Sequence, residues 1–178
     1  MGKAEKRVTL AKDVILQLEL QRLIAYSGDY ICGLNLTFDE NGKLIKNDVE
    51  LQSILPTQTC RVCAKGAFFI ADIMRRDKMK ISEAKHGIGN EKIVRRLSDI
   101  FTRNQLDLIE TAFEKSVIYE ENETLMEEKV IKSTGDVDYI YTPLAKKAIS
   151  FGKKYKDTTN RMIAIMNNII KNNGEFKP

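Results

Sequence analysis

Cys60-Arg-Val-Cys63 is the spacing in this chain that most invites chemistry. Two thiols three residues apart can form a redox pair, or supply half of a soft metal site. With Cys32 and the single histidine, His86, they make four candidate metal ligands: Cys32, Cys60, Cys63 and His86. A structural zinc site draws its ligands as two close pairs, and here Cys32 and His86 each stand alone. A thioredoxin-type site needs a strand feeding the first cysteine within a βαβ unit. No such setting is legible around Pro56-Thr57-Gln58-Thr59. The reading that fits the surroundings is packing, because free cysteine behaves as a small buried apolar group. A small zinc or thiol-redox protein using Cys60 and Cys63 is the second alternative, and no cofactor is expected.

His86 would have to serve any histidine-dependent acid–base step. It stands in His-Gly-Ile-Gly-Asn, where Gly87 and Gly89 could turn amides towards an anion at a helix start. The stretch lacks the Lys-Ser/Thr of a phosphate-binding loop and the pattern of a dinucleotide fingerprint, so it reads as a surface turn. Acidic neighbours such as Glu120/Glu121 and Glu127/Glu128 do not share a helix face, so they read as solvation. No catalytic residue is assigned.

Residues 75–103 hold nine basic against four acidic side chains. Within them Lys92–Arg103 and the following 104–115 form two helices head to tail, reminiscent of a helix-turn-helix. Arg75, Arg76, Lys92, Arg95, Arg96 and Arg103 are the candidate phosphate contacts of a nucleic-acid-binding alternative. Against it, the second helix offers Asp107, Glu110 and Glu114 rather than base-reading side chains. Residues 110–138 are acidic, nine against three, and residues 139–178 basic again, eight against two. Segregation of this kind suits pairing within the fold or with a protein partner.

These groups must be positioned by helices. Residues 59–76 predict a central one: Cys60, Cys63, Ala67, Phe68, Ile70, Ala71 and Met74 recur at three- and four-residue steps. Thr57 or Thr59 would cap it, and Arg75, Arg76 and Lys78 suit its C-terminal dipole. A charge placed at Ala67 would be stranded in its packed face. Before it, residues 1–7 predict a loose tail. Residues 8–26 predict a helix with Val14, Ile15, Leu16, Leu18, Leu20, Leu23 and Ile24 inward and Gly28 as its stop. Residues 30–38 and Lys43–Ile45 predict a small hairpin about Asp39–Gly42, and Asp48 a cap for a short helix over 49–55.

After the centre, 77–90 predicts a loop, and Asn90 caps a helix over 91–101. Thr102 and Gln105 form a capping box for the next helix. Residues 117–141 predict an acidic insert ending in a second hairpin with its turn at Ser133–Asp136. Thr142-Pro143 opens a helix through Lys154 that would bury Leu144, Ala148, Ile149 and Phe151, and a last helix spans 158–172 before Asn173-Gly174. The expected fold is mainly α: a single helical domain of five or six helices around a central buried one, with one or two small β-hairpins.

Three stretches together, Cys60–Phe69, 97–114 and Arg161–Pro178, resemble a group of small uncharacterised bacterial and phage proteins. The resemblance implies no activity, and residues 117–141 depart from it. No apolar run approaches the ~20 residues of a membrane span, and the start lacks the apolar core of a secretion signal. The expectation is therefore a cytoplasmic protein with reduced thiols. The leading function is a non-enzymatic protein-interaction module, partnering another protein or itself, with no membrane.

Overall fold

The structure, a computed structural model, describes residues 1–28, 31–32, 59–76, 90–117, 124–130 and 137–178. Among them are six helices, so the chain is mainly helical as its patterning indicates. The order is α1 (Lys3–Glu19), β1 (Leu23–Ala25), β2 (Ile31–Cys32), β3 (Cys60–Val62), α2 (Ala64–Arg76), α3 (Asn90–Leu97), α4 (Arg103–Glu114), β4 (Met126–Val130), β5 (Val137–Tyr141), α5 (Pro143–Lys153) and α6 (Thr158–Lys171). The expected return strand at 43–45, the helix over 49–55, the loop residues 77–89, Glu120/Glu121 and the Ser133–Asp136 turn lie outside the described residues.

The largest correction falls on 59–76, which is not one helix. Cys60–Val62 is a strand, flanked by β1 in parallel and β2 antiparallel. Cys60 and Val62 are buried and Arg61 between them is exposed, an alternation of period two. The cysteine and alanine spacing also fits a helix, and in so short a run the two periods cannot be told apart. The helix begins after Cys63, and the Thr59 hydroxyl donates to the Gln21 carbonyl instead of capping.

A second correction concerns the chain's start. Residues 1–7 are no tail, because α1 begins at Lys3, with Glu5 accepting from the Gly2 amide at 2.8 Å. It also stops earlier than expected. Gln21 takes φ 56°, the chain reverses, and Leu23–Ala25 becomes a strand. Leu16, Leu20 and Ile24, placed on the inward face by a helix running to 26, are exposed. Gly28 (φ 101°) then belongs to a turn after β1 and ends no helix.

Later elements match their signals. Thr102 accepts from the Gln105 amide while the Gln105 side chain accepts from the Thr102 amide, a reciprocal box at the start of α4. Thr142 caps α5 ahead of Pro143, and Asp157 caps α6. The expected second hairpin is present as β4–β5, with Val130 opposite Val137. Leu144, expected inside, is exposed on the first turn of α5.

One apolar core joins these elements. α1 packs on α6 and α2, and α4 on α5, α2 and α6. Phe68 and Phe69 of α2 are fully buried, Phe68 against the Phe101 ring at 4.8 Å between centroids. The α4–α5 contact is backbone-close. A Cβ on Gly152 would sit 1.9 Å from the Ala112 carbonyl oxygen, so glycine is required there.

Candidate functional site

The β3–α2 junction sets the surroundings of the two cysteines. Cys60 faces the core from the strand, and Cys63 stands immediately ahead of α2 as its N-cap. Its sulfur accepts from the Gly66 amide at 3.5 Å, and its carbonyl accepts from Ala67 N–H at 2.9 Å. The next orphan amide, that of Lys65, donates to Glu110 Oε2 at 3.0 Å. A carboxyl from α4 thus completes the cap of α2, where a helix N-terminus favours negative charge.

Asp107, Glu110 and Glu114 lie at i, i+3 and i+7 of α4, which stacks them in one stripe. Asp107 Oδ1 takes the Lys65 ammonium at 2.5 Å, and both side chains are buried. Arg103 approaches the other Asp107 oxygen at 3.9 Å. Glu114 accepts from Ser27 Oγ at 2.5 Å and from the Gly28 amide at 3.1 Å, so it holds the turn after β1. Glu110, between them, bonds Cys63 and the Lys65 amide.

Burial dominates the titration of this pair. Desolvation lifts the Glu110 carboxyl from 4.5 to about 7, against the opposing hydrogen bond from Cys63 and the nearby Lys65 charge. Burial likewise pushes the Cys63 thiol well above its ordinary value, with the Glu110 charge adding to it. A reactive thiol has the opposite shift, towards a thiolate stabilised by positive surroundings.

The structure changes one premise of the redox alternative. β1 lies parallel beside the first cysteine, but β3 begins at Cys60 and leads away from it towards Cys63. The same strand argues against a Cys60–Cys63 disulfide. Three steps of extended chain separate their Cα atoms by ~10 Å, beyond the ~7 Å that a disulfide spans. Both are buried thiols. Among the described residues no three His, Cys, Asp or Glu side chains come together as a metal site. The Cys32 side chain and His86 lie outside the described residues.

The basic candidates of 75–103 are largely engaged. Arg75 pairs with Asp13 of α1. Asp72, buried on α2, receives Arg76 at 2.5 Å through one oxygen and Arg96 at 3.0 Å through the other. Arg76 also reaches Asp99, and Arg103 reaches Glu91. Arg95 is exposed; the side chain of Lys92 lies outside the described residues. Four of the six are thus held by carboxylates, three of which, Asp13, Asp72 and Asp107, lie outside the basic block.

Arg161 was not singled out by its spacing, yet among the described residues it is the largest fully buried side chain. Its guanidinium donates to the carbonyls of Phe113, Gly152, Tyr155 and Lys156 at 2.8–3.2 Å. Phe113 and Gly152 lie in the last turns of α4 and α5, and Tyr155 and Lys156 in the turn that follows α5, so one cation meets the negative ends of two helices and ties down the turn between α5 and α6. Lys65, Asp72, Asp107 and Glu110 were equally hidden, although the i, i+3, i+7 acidic stripe beside Leu106, Ile109 and Phe113 is a signal of burial. Comparison of the chain with protein-family models, curated proteins and solved structures finds no match. Among the described residues no helix is long and apolar enough to cross a membrane.

Proposed function

We propose that this chain is a non-enzymatic protein-interaction module, able to self-associate or to bind a protein partner. One observation carries the reading: large apolar side chains lie on the outside in two runs. Leu16 and Leu20 stand a turn apart at the end of α1, followed by Ile24 of β1 and Tyr26 immediately after it. Tyr139, Tyr141 and Leu144 form the other run, on β5 and the start of α5. Apolar surface gathered in this way gains free energy when a partner covers it. The buried polar cluster at the β3–α2 junction has a structural use, since its bonds hold one element to the next. The resemblance to small bacterial and phage proteins is compatible with an adaptor carried by a mobile element.

The test is light scattering over a wide concentration range, with affinity capture from cell lysate alongside. Concentration-dependent association, or a partner captured reproducibly and lost with Ile24→Glu or Tyr141→Glu, is the expected result. A strict monomer with nothing captured would overturn the reading. Salt-dependent retention on DNA that Arg95→Ala abolishes would replace it with the nucleic-acid alternative.

A further inference from the structure

The β4–β5 hairpin has two unlike edges. Thr142 N–H donates to the Leu125 carbonyl at 3.0 Å, continuing the register that pairs Met126 with Tyr141. Inward bonding alternates along an antiparallel strand, so Ile140 and Asp138 also turn their amides towards β4. The backbone groups of Val137, Tyr139 and Tyr141 therefore face away from β4. β4 (Met126–Val130) carries the exposed charges of Glu127 and Glu128, which guard its edge against pairing. β5 (Val137–Tyr141) has no proline, glycine or lysine, and its one charge is Asp138. That charge has a local use: Asp138 Oδ1 accepts from the Tyr139 amide at 2.9 Å. The central outward N–H of β5 is thereby occupied by the neighbouring carboxylate. Tyr139 and Tyr141 are both exposed.

We propose that β5 pairs antiparallel with β5 of a second copy of this chain, about a two-fold axis at Tyr139, and that Asp138 is the latch that limits the pairing. The proposal rests on the interaction reading above and names its surface. The strand is self-complementary in this arrangement. Tyr139 meets Tyr139 of the other copy, Val137 meets Tyr141, and Asp138 meets Ile140. Aromatic and β-branched cross-strand pairs of this kind are favourable. Charge selects the edge. Pairing through β4 about its central outward residue would set Glu128 directly against Glu128 of the other copy. Pairing through β5 leaves the two β4 strands at the outside, separated by ~14 Å at about 4.8 Å per strand, beyond the ~8 Å screening length of physiological salt. A two-fold contact also closes on itself, which an open-ended strand edge does not. For the pair to form, the Tyr139 amide must leave the Asp138 carboxylate for the carbonyl across the axis.

The experiment is analytical ultracentrifugation of the full chain and three variants over a thousandfold concentration range. Asp138→Ala removes the latch and is expected to lower the dimer dissociation constant at least tenfold. Tyr139→Pro removes the central outward N–H without breaking a backbone bond to β4, losing there only the bond from the Tyr139 hydroxyl to Glu128 Oε1 at 3.4 Å; it is expected to be monomeric with an unchanged far-UV spectrum. Tyr139→Cys places two thiols on the axis, ~5.5 Å apart at Cα, within disulfide reach. It is expected to give a reducible covalent dimer under mild oxidation. An Asp138→Ala protein that stays monomeric, or a dimer unaffected by Tyr139→Pro, would overturn the strand pairing. If light scattering still showed association or capture in the same preparation, the interaction reading would stand without it. A captured partner lost with Tyr139→Pro, while every form remains monomeric, would overturn the second copy as the occupant.

Discussion

Replacing Glu110 with glutamine tests the central junction through its pH dependence. Glu110 is buried on α4, bonded to the Lys65 amide and the Cys63 thiol, with Asp107 and Glu114 on the same stripe and the Lys65 ammonium nearby. Its carboxyl titrates at about 7 in the folded protein against 4.5 when exposed. The folded state therefore binds this proton more tightly than the unfolded chain. The stability it gives is fully present below 4.5 and falls as pH rises to about 7 and a little beyond. At ~1.4 kcal/mol per pH unit, ionising Glu110 in place costs about 3 kcal/mol. Glutamine keeps an acceptor for the Lys65 amide and cannot ionise. Urea unfolding of both proteins should give similar stabilities at pH 4.5. From there to pH 8 the variant should gain about 3 kcal/mol on the parent. Because both chains share every other titrating group, only the difference between the two curves matters. Parallel curves would refute the claim that Glu110 is a desolvated carboxyl at the α2 cap.

Two further substitutions probe the contacts that order the helices. Arg161→Lys keeps the charge but cannot reach four carbonyls spread over two helix ends and the turn after α5. Leaving several of them buried and unpaired should cost about 3 kcal/mol or more in urea unfolding, and a cost below ~1 kcal/mol would mean that water replaces the guanidinium. Gly152→Ala drives a methyl into the Ala112 carbonyl. It should lower the melting temperature by ~10 °C or more through the forced separation of α4 and α5, whereas unchanged melting would mean the two helices are not in backbone contact.

Local signals in the sequence determined the helical elements and where several of them start. The Thr102–Gln105 box, Thr142-Pro143 and Asn173-Gly174 act within one turn of chain, so no distant residue is needed to read them. The burial of Cys60, Cys63 and Ala67 was legible in the same way, because their residue types favour the interior. What only the tertiary structure decided is non-local. Cys60–Val62 becomes a strand because Leu23–Ala25, more than thirty residues earlier, supplies a parallel partner, and a helical period in three residues carries no information about that partner. The same holds for the polar interior. Lys65, Asp72, Asp107, Glu110 and Arg161 look like surface residues until the elements that carry them meet. Their burial is tolerable only because each finds a counter-charge, an amide or a carbonyl on another part of the chain.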